Sequence, residues 1–206
     1  MPPETPLSRE VIVAAGRRLA EEGGAAALSM RRVATEVGCS PMALYRHVAD
    51  KRELLILVLE DVARGLRPDP PEGAPQEQLE ALFVMLHDYL AGYPWVVEVL
   101  RQGELFAPSA LRFVEAALAV LERAGCTGDD ALLAYSALWN YTVGTLVWRR
   151  PEGPEAHAAR TAISALAPLA ELPRVRRLWP LLPGLDRGQV FRAGLRALVS
   201  GLLTSA

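Results

Sequence analysis

The chain has 206 residues, 51% of them hydrophobic, and a formal net charge of −2. That size and apolar content suit one mid-sized unit, or a small domain joined to a larger one, with a substantial core. Two cysteines in different regions, Cys39 and Cys126, suggest no disulfide framework and fit packing residues in a reducing cytosol.

The opening, residues 1–6, is polar and proline-rich, and no apolar stretch of a secretory signal comes after it. A short arm and a cytoplasmic location are therefore expected. The first helix is predicted over 8–22, with Val11, Ala15 and Leu19 inward and Gly23-Gly24 as its break. Met30, Val33, Ala34 and Val37 then fall at i, i+3, i+4 and i+7, the stripe of a helix packed on one face. Ser29 is its N-cap and Gly38 its end. Ser40 and Pro41 restart the chain as N-cap and first helical residue. The next helix, 41–48, is too short to stand alone. A helix, a glycine turn and a short second helix make a helix-turn-helix.

Asp50 and Glu53 form a capping box that opens a fourth helix over 51–66. Leu55, Val58, Leu59, Val62 and Leu66 make its stripe, and its length carries it out of the helix-turn-helix region and into the next domain. Lys51, the only lysine in the chain, stands at its first position. A cation beside free backbone N–H groups makes a phosphate clamp. Residues 25–52 hold five basic and two acidic side chains, a local excess of +3 on a net acidic chain, which is an electrostatic footprint for phosphates.

The proline-rich break 67–75 divides the chain into 1–66 and 67–206. Helices are predicted at 76–92, 94–103, 108–124 and 129–149, then a loop at 150–157 and a weaker helix at 158–169. Residues 172–185 hold three prolines and read as irregular with one short helical turn. A last helix covers 186–203. No stretch shows strand alternation, so the fold class is all-α. Residues 131–148 are eighteen positions without a charge, but Ser136, Asn140, Thr142 and Thr145 interrupt them. A buried or interface helix, and no membrane span, is the expectation.

The N-terminal residues resemble the DNA-binding domain of the tetracycline-repressor (TetR) family. The resemblance rests on Ala14, Ala15, Leu28, Ser29, Met30, Val33, Ala34, Val37, Gly38, the run Leu44-Tyr45-Arg46-His47-Val48, Lys51, Glu53, Leu54 and Leu55. Phe191, Gly194, Leu195, Leu198, Gly201 and Leu202 are similar to the last helix of that subgroup, and Tyr141 to Gly144 to part of its other interface helix. The resemblance implies a homodimer with a four-helix interface through Gly144 and those C-terminal residues. Glycines inside helices cost about 1 kcal/mol each and suit close backbone approach. The same resemblance implies a repressor released from a palindromic operator by a small molecule.

Within the helix-turn-helix, Pro41, Met42, Ala43, Tyr45, Arg46 and His47 are the candidates for base reading, with Leu44 and Val48 toward the core. Ser29, Arg31, Tyr45 and Lys51 are the candidates for phosphate contacts. The second part gathers Met85, Tyr89, Tyr93, Phe106, Phe113, Trp139 and Asn140, large and mostly apolar groups that suit a ligand cavity. His47, His87 and His157 are scattered, and no hydrolase, zinc or phosphate-loop signature is present, so no enzyme, cofactor or metal is expected. Tetracycline repressors hold a magnesium–drug complex with a histidine in the helix corresponding to 94–103. This chain has no histidine there and only Glu98 as a hard, carboxylate oxygen ligand, so a metal-free hydrophobic or aromatic effector is expected. A regulator without a ligand, and a helical enzyme or sequestering protein on the same fold, are the alternatives.

Overall fold

Ser8 starts the first helix by accepting the Val11 N–H on its hydroxyl at 3.4 Å. The computed structural model describes residues 6–101, 103, 107–147, 154–169 and 171–204. Helix α1 (Arg9–Ala27) outruns the predicted 8–22, but its axis breaks where expected. Gly23 (φ −131°) and Gly24 (φ 72°) leave helical geometry, the second in the region that favours glycine. The buried stripe is Ile12, Ala15 and Leu19, one position off the predicted Val11 at its start.

Helix α2 (Met30–Glu36) and helix α3 (Pro41–Tyr45) form the helix-turn-helix, joined through Gly38 at φ +72°. Ser29 accepts the Arg32 N–H and Ser40 the Ala43 N–H, each at 3.2 Å. Helix α3 is shorter than the predicted 41–48. Its last turn tightens as the Leu44 carbonyl accepts from His47 and Val48. Leu44 and Val48 are buried, as their spacing requires.

Helix α4 (Lys51–Gly65) begins with Asp50 accepting the Glu53 N–H at 2.8 Å. The return half of the capping box is displaced by one residue: Glu53 accepts the Ala49 N–H at 2.6 Å. Leu54, Val58, Leu59, Val62 and Leu66 are buried, while the predicted Leu55 is half-buried. Each such side chain contributes about 1.5–3 kcal/mol by leaving water. Helix α4 packs on α1 at one end and on the 3-10 turn Pro108–Ala110 at the other.

The rest is built from α5 (Pro75–Ala91), α6 (Pro94–Arg101), α7 (Leu111–Arg123), α8 (Asp129–Val147), α9 (Pro154–Leu166), α10 (Pro173–Leu178) and α11 (Arg187–Thr204). No strand occurs among the described residues. Helices α5, α7, α8 and α11 form the larger core, with Phe83, Phe113, Leu79, Leu82, Leu121, Leu138 and Leu195 fully buried. Two expectations change. Helix α9 starts at Pro154, inside the predicted loop 150–157. Residues 172–185 are not irregular: α10 runs into a 3-10 helix, Trp179–Gly184, because Pro173 and Pro180 stand where a helix starts and lack of an N–H costs nothing. The Trp179 indole N–H donates to the Ser164 hydroxyl at 3.0 Å and ties that turn to α9.

Glu60 fastens α4 to the 3-10 turn before α7. Its carboxylate accepts the Ser109 N–H at 2.9 Å and the Ser109 hydroxyl, with Arg64 beside it at 3.2 Å. Burial works against its charge, but the Ser109 hydrogen bonds and Arg64 outweigh it and hold the carboxyl below its ordinary value. A lowered folded-state value adds stability above the ordinary carboxylate range and loses it as pH falls through the folded value. Glu60→Gln should therefore cost about 1.5–3 kcal/mol at neutral pH, the range for hydrogen bonds to charged groups. Urea melts of both proteins from neutral to acid pH check this: the difference should shrink as the wild-type carboxyl protonates, and a difference constant with pH would contradict it.

Candidate DNA interface and effector cavity

The caps of α2 and α3 turn one face of the short helix outward. Met42 is 75% exposed and Tyr45 49% exposed. Pro41 and Arg46 are exposed with them, and Ala43 and His47 are half-buried. Arg31 is exposed on α2, and Ser29 is half-buried with its hydroxyl engaged in capping. Lys51 is exposed at the first position of α4, where backbone N–H groups point out of the helix. Tyr45, Arg46 and Lys51 thus form an exposed edge of the chain running from the end of α3 to the start of α4. That edge can offer cations and hydrogen-bond donors to phosphates and base edges.

One residue on that edge escaped the sequence reading. The Arg9 guanidinium donates to the His47 carbonyl through Nε (3.3 Å) and Nη2 (3.0 Å), and Nη2 also meets Glu53 Oε1 at 2.8 Å. No local pattern reveals a contact across 38 residues.

The second feature is a narrow apolar cavity of about 60 Å³. Leu59, Val62 and Ala63 of α4, with Leu66 at its C-cap, form one wall. Leu86, Tyr89 and Leu90 of α5, Val96 and Leu100 of α6, Phe113 and Val114 of α7, and Tyr135 and Trp139 of α8 form the rest, with Ala107 and Ala110. Tyr89, Phe113 and Trp139 are gathered as predicted. Met85 is not: Leu86, Tyr89 and Leu90 hold the inward stripe at i, i+3 and i+4, and Met85 lies a residue out of phase. Asn140 is likewise out of phase with Trp139 and is exposed. Phe106 lies outside the described residues. The α4 wall was legible as an apolar stripe, but nothing in the sequence shows that it faces a cavity.

Tyr93 belongs to a junction instead. Arg17 of α1 donates to the Tyr93 hydroxyl at 3.0 Å, lies 5.4 Å from its ring centre, and pairs with Asp61 of α4 at 3.0 Å. Tyr89 joins cavity to helix: its hydroxyl donates to the Val62 carbonyl at 2.7 Å. Val62 holds one of the last four carbonyls of α4, which lack partners within the helix. Gly65 leaves room for that hydroxyl, which a Cβ there would strike. Burial, with Tyr93 adding, pushes the Tyr89 phenol up to about 12, and burial does the same to Tyr135. Both stay protonated at neutral pH.

No charged side chain lines the cavity. Glu98 is exposed on α6 and pairs with Arg101 at 2.7 Å. Among the described residues no three of His, Cys, Asp or Glu gather at a metal-binding distance. No helix among them is long and apolar enough to cross a membrane. His87 packs flat on Phe191, ring centres 4.0 Å apart, away from the cavity.

The predicted interface residues divide. Phe191 and Leu195 are buried inside their own chain, because α11 packs that face on α5 and α8. Gly194 also serves its own chain: a Cβ there would strike the Tyr141 hydroxyl, which donates to the Phe191 carbonyl at 3.1 Å. Leu198 and Leu202 are half-buried. Gly144 and Gly201 are exposed, and a Cβ on either meets nothing within 4 Å. The outward stripe of α11 is Val190, Ala193, Ala197 and Gly201.

Residues 12–58 match the family model for bacterial regulatory proteins of the tetR family, and residues 67–206 match the tetracyclin repressor-like C-terminal domain. The chain is 35% identical over 147 residues to the HTH-type transcriptional repressor DrrR1 of Streptomyces coeruleorubidus, covering 69% of this chain. It is 32% identical over 152 residues to an HTH-type transcriptional regulator of Saccharopolyspora erythraea, covering 71%. Those matches span 53% and 64% of the two relatives' lengths. The crystal structure of the Streptomyces coelicolor TetR family protein ActR in complex with actinorhodin superposes with a TM-score of 0.85 at 24% identity, over 98% of each chain, a likeness of fold. The chain belongs to the tetR family of bacterial regulatory proteins.

Proposed function

We propose that this chain is a cytoplasmic, homodimeric, sequence-specific repressor that binds a palindromic DNA operator and leaves it when a hydrophobic or aromatic small molecule binds. It is a regulator, not an enzyme. The observation that carries this reading is the double membership of α4. The helix begins at Lys51, beside the exposed face of α3, and its later turns wall the cavity. The cavity is narrow, about 60 Å³, so a polycyclic molecule enters by moving its walls, α4 among them. That displacement tilts the Lys51 end and changes the spacing of two recognition helices, which suit half-sites about 34–36 Å apart. A hundredfold loss of operator affinity needs about 2.7 kcal/mol of coupling, within the usual range. The lining, aromatic faces with two phenols and no charge, suits an uncharged, flat effector. The ActR structure with bound actinorhodin supports a ligand in this fold. The narrowness of the cavity favours a second reading, a DNA-binding regulator with no small-molecule ligand. Melting shifts with a panel of neutral polycyclic aromatics separate the two.

In the first reading Arg46 pairs with a base edge, and Ser29, Arg31, Tyr45 and Lys51 meet phosphates. Enrichment from random 30-base-pair duplexes should return an inverted repeat. Lys51→Ala should lower the slope of log affinity against log salt by about one per subunit. Arg46→Ala should relax one position per half-site, worth about 1–3 kcal/mol of discrimination. An unchanged slope removes the Lys51 clamp, and a uniform loss across sequences makes Arg46 a phosphate contact.

For the dimer, α8 and α11 pair with their copies through Gly144, Gly201 and the outward stripe, with Leu198 and Leu202 at its edge. Gly201→Leu should give monomers in sedimentation at micromolar concentration and abolish operator binding. A leucine dimer that still binds would move the interface elsewhere.

A further inference from the structure

The recognition helix is held from outside itself. Helix α3 has five residues, too few to persist unaided. Its C-terminal turn ends at the His47 carbonyl, and both hydrogen bonds the structure gives that carbonyl from a side chain come from Arg9. Arg9 stands 38 residues away, at the first position of α1. The same guanidinium meets Glu53, whose other oxygen accepts the Ala49 N–H. Residues 47 and 49 are thus gripped from both sides, immediately between the exposed face of α3 and Lys51. As an ion pair, Arg9–Glu53 contributes little, because its side chains are 54% and 35% exposed. Its value is directional: two N–H groups in a rigid plane fix where the turn sits. A cation at a helix C-terminus also suits the helix dipole.

We infer that Arg9 is a positioning residue for operator reading: it sets the angle of α3 without itself touching DNA. The inference rests on the DNA-binding reading above. A positioning residue leaves a signature that neither a phosphate contact nor a general loss of fold shares. Misplacing α3 weakens binding to the correct sequence and spares binding to any other. A lost phosphate contact weakens both and lowers the salt slope. Partial unfolding weakens both by one factor.

The test measures wild type, Arg9→Ala and Arg9→Lys on two duplexes, the inverted repeat enriched from random DNA and a scrambled duplex of the same composition. Arg9→Ala should bind the repeat about tenfold more weakly, as expected for a charge-assisted contact, and bind the scrambled duplex as wild type does, with the salt slope unchanged. Arg9→Lys keeps the charge but loses the planar pair of donors, so it should stay close to Arg9→Ala. Equal losses on both duplexes, a slope lowered by about one per subunit, full rescue by lysine, or no change at all would each overturn the proposal. Failure to enrich any repeat would instead defeat the DNA-binding reading, and this inference with it.

Discussion

Helix α4 has to satisfy two cores with one stripe. Leu54 and Val58 close the small N-terminal core against α1, where the Val58 side chain lies so near Gly16 that a Cβ there would crowd it. Leu59, Val62 and Leu66 face the other way along the chain, into the larger helical body. A helix is stiff over fifteen residues, so a shift at one end is felt at the other. The α3 face and the cavity are thereby linked through one helix.

Polar contacts fix how that unit rests. Arg17 ties α1 to Asp61 of α4 and to Tyr93 after α5. Glu60 ties α4 to Ser109, and Tyr89 ties the last turn of α4 to α5. Each of these contacts is modest in net energy. The last of them, Tyr89, borders the thin apolar slot along α4. An apolar slot beside the helix that joins the two parts is a natural place for a second arrangement. Interfaces of this kind switch between discrete states more readily than they deform smoothly.

The N-terminal part was legible because its signals are local. Ser29, Ser40 and Asp50 each cap a helix within three residues, and Leu44 and Val48 follow from helical spacing alone. The cavity was legible only in composition. Which of Met85 and Leu86, or Trp139 and Asn140, points inward depends on the rotation of a helix about its axis, and one residue is about 100° of that rotation. Tyr93 was an aromatic among aromatics until Arg17 claimed its hydroxyl. The C-terminal glycines posed a different problem. A notch in a helix says that something approaches closely, not from which chain. At Gly194 it is Tyr141 of the same chain, while Gly144 and Gly201 open onto empty space. Arg9 could not have been found, because its partners are fixed by the fold and not by spacing.

The central claim is that filling the slot beside α4 is enough to loosen the grip on DNA, and it can be tested without knowing the effector. Ala63 lies on the α4 wall, so Ala63→Phe places a ring in the slot from the helix itself. Operator affinity of this variant, measured beside its melting curve and its sedimentation, is the decisive quantity. The account predicts a folded dimer whose affinity for the enriched repeat is at least about tenfold weaker, a coupling of about 1.4 kcal/mol. A folded Ala63→Phe dimer that binds the repeat as tightly as wild type would contradict it.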